Sequence, residues 1–362
     1  MKKQQKIFFD FLRFCIGASK EIPVSLKDAD WKELYAIAKK QCLVGVLFDG
    51  IKKLPAEHVG MKKELLLQWM AESQMLEKVN VRLNDAAIQV SEWFRKKGFR
   101  TCILKGQGNA LMYPNPYSRT PGDIDIWVEG GDKRVISFVR SISPHEKACY
   151  HHIEFPSYKG VEVEVHYRPS FLLCFWHNRK LQEYYERVKE VQFSHRVMLG
   201  KEGEVAIPTM EFNIIFQLTH IFSHLMNEGI GLRQLLDYYY VISMLSVNCE
   251  MLTSLQKGLK DLGLLKFAGA IMYIMKEVFG MPASRLIVPP NEKYGKFVLN
   301  EVLEAGNFGK HDERYWFGKS KLGHNLQRVY RDMRLVMYFP AEALSEPIFR
   351  VWHYFWRMKN KK

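Results

Sequence analysis

The chain has 362 residues, 47% of them hydrophobic and 25% charged, a balance that excludes a disordered chain, a collagen-like fibre and a disulfide scaffold, because enough apolar surface is present to offset chain entropy. No stretch stays apolar and uncharged long enough to cross a bilayer, since the best candidate, Leu264 to Met281, is broken by Lys266 and Lys276. The net charge of +14 favours polyanionic partners, whether phosphates, nucleic acid or an anionic membrane surface.

The amino terminus opens like a signal peptide, but Asp10 and Arg13 fall inside what would be its apolar region, so the segment reads as an amphipathic first helix. Cys15, Cys42, Cys102, Cys149, Cys174 and Cys249 are scattered among apolar neighbours without a C-x-x-C pair. They point to reduced thiols in a cytoplasmic, soluble protein and away from a zinc ribbon. From Trp31 to about Gly98 apolar residues recur at helical spacing, as at Trp31, Leu34, Tyr35 and Ala38, with the Ser25–Asp28 stretch and Asp30 as caps and Gly50 and Gly60 as stops. Residues 1–97 are expected to form a helical lobe whose Met and Trp stripes are core.

The middle of the chain changes period. Phe99 to Leu104, Asp123 to Glu129, Tyr150 to Phe155 and Val161 to Tyr167 read as strands, the last two joined by a turn at Ser157 to Gly160. A short helix from Gln107 to Met112 and a longer one from Asp132 to Ile142 lie between them, giving a small mixed sheet with helices on one side over 98–205. After Pro208 helical periodicity returns through Met210–Asn227, Leu232–Ser246, Leu252–Val278 and Leu322–Val336, a second helical domain over 206–362. The expected class is α+β: a mixed-sheet core flanked by helical N-terminal and C-terminal domains.

Chemistry concentrates in residues 104–129, LKGQGNALMYPNPYSRTPGDIDIWVE. Asp123 and Asp125 alternate with Ile124 and Ile126, so both carboxylates leave one face of a strand. Two acids that close repel, and the arrangement is costly except around a hard divalent cation such as Mg²⁺. On the Val161–Tyr167 strand Glu162, Glu164, His166 and Arg168 share one face, and Glu164 completes a three-carboxylate cluster if the strands are neighbours. A D-x-D pair alone is weak, and a half-solvated strand would also show it. Its company is informative: Lys105, Gly106 and Gly108 at a strand-to-helix turn let backbone N–H groups approach phosphate, and Lys105 and Arg119 neutralise charge. A phosphate cradle beside a carboxylate cluster is the minimal equipment for nucleotidyl transfer.

These residues resemble the nucleotidyltransferase superfamily of DNA polymerase β, whose signature is a glycine turn, a short helix, an acidic-x-acidic strand and a third acid on a later strand. Lys105-Gly106, Leu111 to Pro114, Arg119, Gly122 to Asp125 and Glu164 to His166 are most similar to a group of bacterial proteins known only as uncharacterised nucleotidyltransferases, and the helical lead-in around Asp30-Trp31 and Cys42 to Gly45 also fits. Gln107 departs from the Gly or Ser preferred at its position, and the interval from Gly106 to Asp123 is longer than in polymerase-like members. The resemblance implies a pair of Mg²⁺ (or Mn²⁺) ions bridging Asp123 and Asp125, with Glu164 binding the ion that activates an acceptor hydroxyl. It implies an NTP substrate contacted by Lys105, Gly106, Gly108 and Arg119. The expected reaction moves NMP to a hydroxyl of an unidentified small-molecule, protein or RNA acceptor and releases pyrophosphate. The alternative is a non-catalytic nucleotide- or RNA-binding module, which has no reason to keep three mutually repelling acids. A metal hydrolase using the histidines is a third class.

His166 and Arg168 are accessory candidates that could orient a carboxylate or touch phosphate. His151 and His152, as neighbours on a strand, should point to opposite faces. His220 and His224 have the i, i+4 spacing of a zinc pair but lack the glutamate of H-E-x-x-H. With Asn213, Gln217 and Asn227 they form a polar, uncharged helix stripe, suited to a cleft wall or to a hydrogen-bond network with Arg233 and Asp237. Lys319, Lys321, Arg328, Arg331 and Arg334 read as a solvated basic face by default, with addition to a phosphate-binding surface as the alternative. In the tail FRVWHYFWRMKNKK, docking of Phe355 and Trp356 on the helical core is the expectation, ahead of membrane or nucleic-acid contact.

Overall fold

The computed structural model describes residues 2–200, 203–246, 248–312, 314 and 321–360. Helix α1 (Lys3–Cys15) buries Ile7, Phe8, Phe11, Leu12 and Cys15, as an amphipathic first helix requires. Helix α2 (Trp31–Lys40) begins at Asp30, whose carboxylate accepts from the backbone N–H groups of Lys32 at 3.0 Å and Glu33 at 3.2 Å. Helix α3 (Val44–Ile51) is apolar nearly all round and packs on α1. Gly50, expected as a stop, sits in its last turn, where a Cβ would come within 2.0 Å of the Cys15 sulfur. Its place there is set by close helix contact.

Helix α4 (Lys63–Lys96) runs 34 residues and serves two cores. Near its start Trp69 is buried among the first helices and donates to the Val44 carbonyl at 2.9 Å. Its second half turns Leu83, Ala87, Val90 and Phe94 onto the sheet.

The main sheet has the order β1 (Thr101–Leu104), β2 (Ile124–Val128), β4 (Val161–His166), β3 (His152–Tyr158). Strand β2 pairs antiparallel with β1 and parallel with β4, and β3 closes a hairpin on β4 through Lys159 and Gly160, both at positive φ. Ile124, Ile126, Val128, Val163 and Val165 face α4 and α6 (Gly131–Ile142), which supplies Val135, Ile136 and Val139. Trp127 points the other way, 4.6 Å from Phe193 of α7 (Phe175–Ser194) and 5.9 Å from Phe212 of α8 (Met210–Asn227). Helices therefore cover both faces of the sheet, correcting the one-sided arrangement expected from sequence, and β2 is buried along its whole length instead of being half solvated. The short helix α5 (Gly106–Ala110) follows β1 directly.

After α7 a separate hairpin, β5 (Arg196–Leu199) and β6 (Gly203–Ala206), leads into α8. Helices α9 (Leu232–Met244), α10 (Cys249–Asp261), α11 (Leu265–Glu277), α12 (Glu292–Ala305), α13 (Lys321–Val336) and α14 (Pro340–Lys359) complete the described fold. The single helix expected over Leu252–Val278 is two, because Gly263 takes φ +69° between α10 and α11. N-terminal and C-terminal helices share one hydrophobic cluster, and Gln41 stitches them by donating to the Val302 carbonyl and accepting from the Leu232 N–H. In α14 Phe349 is buried with its ring 5.6 Å from Tyr150 and 5.1 Å from Phe171, and Trp356 packs on the sheet cluster. Phe355 is exposed and Trp356 docks on the sheet cluster, so neither packs on the helical core as expected, although Trp356 does dock on the fold. Among the described residues no helix is long and apolar enough to cross a membrane. Lys319 and the side chain of Lys321 lie outside the described residues.

Candidate active site

The parallel pairing of β2 and β4 sets Asp125 opposite Glu164, and Asp123 immediately precedes β2. Carboxylate oxygens of Asp123, Asp125 and Glu164 lie within 4.8 Å of one another, so the three acids meet at one point. Asp125 is buried, a cost offset because Lys105 Nζ and His166 Nε2 both reach its Oδ1 at 2.9 Å. His166 Nε2 also lies 3.4 Å from Glu164 Oε2, and His152 Nδ1 lies 3.2 Å from the same oxygen.

The electrostatics divide the acids. The Asp125 charge, followed by burial, pushes Asp123 up to about 6. Burial works against ionisation of Asp125 itself, but Lys105 and the His166 hydrogen bond overcome it and hold this carboxyl well below the usual range. Glu164 is also held low, against burial, by His166. Burial opposes the His166 proton as well, yet Asp125 and Glu164 raise that imidazole to about 9, so it is a cation. Three carboxylates against Lys105 and His166 leave an excess of negative charge, which fits a hard divalent cation. Asp123, Asp125 and Glu164 are the residues that would hold it.

Lys105 reaches this position because the chain leaves β1 in a left-handed turn, with Lys105 at φ +50° and Gly106 at φ +41°. Positive φ on a lysine is strained and is kept here by the site built on it. Lys105 Nζ also lies 3.1 Å from His220 Nε2. Gly106 lines the cleft over the acids. Gly108 faces inward, where a Cβ would stand 3.1 Å from the Ile207 side chain, and Gln107 is buried with its amide on Asn84.

Arg119 arrives on a loop that α4 fixes, since Asn80 donates to the carbonyls of Tyr117 (2.9 Å) and Arg119 (2.8 Å). Its guanidinium forms a buried bidentate pair with Asp237 of α9, Nε to Oδ1 at 2.8 Å and Nη2 to Oδ2 at 2.7 Å, and Tyr113 donates to the same carboxylate. Arg119 is thus largely engaged by protein, whereas the sequence suggested a group open to phosphate. Arg168 is held by Asp132 at 2.9 Å and donates to the Tyr150 carbonyl at 2.7 Å, outside the residues that line the cleft. Glu162 is exposed.

The cleft over the acids encloses about 880 Å³. One wall is the polar stripe of α8, where Gln217, His220, His224 and Asn227 line the space and only Asn213 turns away; Gln217 donates to Asn109 at 2.9 Å and His224 lies 3.0 Å from His220. His151 and His152 line it together, 3.1 Å apart, contrary to the opposite faces expected, because β3 begins only at His152 and His151 is free of the strand's alternation. Burial, then neighbouring positive charge, keeps His152 neutral with its value lowered to about 4, and drives His151 and His220 far down as well. The remaining wall carries Arg350, His353 and Arg357 of α14, together with Phe308, Lys310 and Arg233. Burial lowers His353 to about 4, so the charges on this wall are Arg350, Arg357, Lys310 and Arg233. None was expected as a phosphate ligand, Arg233 being read only as a hydrogen-bonding neighbour of α8 and the α14 pair only as part of the aromatic tail.

No curated protein matches the chain. A solved structure that does is an antigenic nucleotidyltransferase-like protein from Paracoccidioides brasiliensis, 14% identical, covering 61% of this chain and 97% of its own, with a TM-score of 0.32. The family model for uncharacterised nucleotidyltransferases matches residues 27–280, which include β1, the glycine turn and all three acids, and the chain belongs to that family.

Proposed function

We propose that the protein transfers a nucleoside monophosphate from an NTP to a hydroxyl of an acceptor molecule, with Mg²⁺ or Mn²⁺ as the metal. The observation that carries this reading is the meeting of Asp123, Asp125 and Glu164 within 4.8 Å on adjoining parallel strands, beneath a cleft lined by cations. In the reaction the acceptor oxygen bonds to the α-phosphorus as the bond from that phosphorus to the β-phosphate bridge oxygen breaks, releasing pyrophosphate and the hydroxyl proton. The bound metal supplies Lewis-acid polarisation and screening of phosphate charge. Lys105 and His166 keep Asp125 ionised while it is buried, and the His166 contact holds Glu164 beside it. The neutral imidazoles of His152 and His220 add polar contacts without adding charge.

Incubation with each α-labelled NTP and Mg²⁺, alone and with cell extract, tests this by tracing the label to protein, RNA or a small metabolite. Glu164→Gln keeps the shape of the site and removes charge, so turnover is expected to fall by at least about 10²-fold with a smaller change in NTP affinity. Label transfer that survives Glu164→Gln undiminished removes Glu164 from the mechanism. NTP binding without any transfer leaves the nucleotide-binding module as the reading.

A further inference from the structure

Behind the carboxylates lies a second charged group. Arg233, on the first turn of α9, is 7% exposed, lines the same cleft as Asp123, and packs its guanidinium beside Gly122, where a Cβ would stand 3.7 Å from Nη1. Its Nη1 donates to the Thr120 carbonyl at 3.1 Å, and its buried Nε has no hydrogen-bond partner. The nearest acid, Asp237, is already taken by both nitrogens of the Arg119 fork and by the Tyr113 hydroxyl. Asp237 acts on Arg233 through its charge, but its hydrogen bonds go to Arg119 and Tyr113. Phe308, held at φ +55°, places its ring 5.6 Å from the Arg233 guanidinium and confines it on the other side. A buried guanidinium without a full complement of acceptors is costly unless an anion joins it.

Resting on the nucleotidyl-transfer reading, we propose that Arg233 binds the polyphosphate of the nucleotide, and that Arg119 serves to fix Asp237 instead of touching phosphate. Asp237 fixes Arg119, Thr120 and Phe308 position Arg233, and the two arginines against one carboxylate leave a net positive wall beside Asp123. Gly122 leaves the approach open, since a side chain there would stand against the guanidinium. The planar fork suits bidentate phosphate recognition, which a lysine at this position could not reproduce. Burial and the neighbouring Arg119 charge both work against the Arg233 proton, a cost that bound phosphate would relieve.

The full-length protein with Mg²⁺ is titrated calorimetrically with inorganic tripolyphosphate and with each NTP, and its thermal unfolding is followed with and without them. Arg233→Met should weaken both kinds of ligand by about tenfold or more while unliganded stability holds or rises, because an unpaired buried charge is removed. Arg233→Gln, which restores some hydrogen bonding, should show the same loss of affinity and guards against a packing defect in the Met variant. Arg119→Met should instead lower unliganded stability, because it orphans Asp237. Binding unchanged in both Arg233 variants overturns the assignment while leaving nucleotidyl transfer intact. Stability lost in both, with ligand affinity retained in the folded fraction, makes Arg233 a structural partner of Asp237 and overturns it too. Wild-type protein that binds neither tripolyphosphate nor any NTP rejects the anion site together with the transferase reading.

Discussion

Of the three clustered acids, Asp123 is the one whose ionisation costs most, because Asp125 beside it is kept charged by Lys105 and His166. Folding raises its value from 3.8 to about 6, so the folded state without metal binds a proton more tightly than the unfolded chain. The unfavourable contribution is therefore full above about 6, shrinks as pH falls from about 6 toward 3.8, and vanishes below 3.8. Asp123→Asn should accordingly stabilise the metal-free protein at neutral pH by up to about 3 kcal/mol and leave it little changed near pH 4. Urea unfolding of both proteins at the two pH values measures this, and a difference independent of pH removes the repulsion argument. Divalent metal reverses the sign, since only the carboxylate binds it, so metal-dependent stabilisation of the wild type should fade below about pH 6. The three acids were legible because strand alternation fixes which side chains share a face. Arg119 was legible as a cation but not as half of an ion pair, because its partner Asp237 lies 118 residues further along the chain.

Among the elements, those with strong periodicity were readable and those with weak periodicity were not. Helix α2, with its Asp30 cap, and α8, with its polar stripe, follow their patterns closely. Helix α7 was overlooked because its few buried residues, such as Leu181, Tyr185 and Phe193, are spread through a largely polar segment, and the missing helix made the sheet look covered on one side only. Gly50 shows how an element's neighbours can override a local signal. Replacing it with Ala should improve intrinsic helix propensity by about 0.5–1 kcal/mol, yet the added Cβ would stand 2.0 Å from the Cys15 sulfur. Overpacking of a tight core costs about 1–3 kcal/mol, so Gly50→Ala should be destabilising on balance. Cys15→Ala in the same chain should recover part of the loss because the clashing sulfur is gone. Strict additivity of the two substitutions in chemical denaturation would mean that α1 and α3 do not meet there.

At the scale of the whole molecule, boundaries drawn from composition at 97/98 and 205/206 separate segments that the packing joins. One face of the sheet rests on Leu83, Ala87, Val90 and Phe94 of α4, and the other places Trp127 against Phe212 of α8, so the covers of both faces include residues outside 98–205. A sequence read in windows sees the strands but not which distant helices close over them, which is also why the cations of α14 were missed at the cleft. The fragment 98–205 keeps α6 and α7 but loses α4 and α8, so Ile126, Val128 and Val165 on one side and Trp127 on the other, buried in the full chain, would each lose part of their cover. Each fully buried side chain of this kind is worth about 1.5–3 kcal/mol, and several exposed together approach the total stability of a small domain. The fragment is therefore expected to show no cooperative thermal transition and to bind a dye specific for exposed apolar surface, whereas the full-length protein melts sharply and binds little. A cooperative unfolding transition in the isolated fragment, with near-ultraviolet circular dichroism of a packed Trp127, would instead establish the sheet as an autonomous unit to which the helices are added.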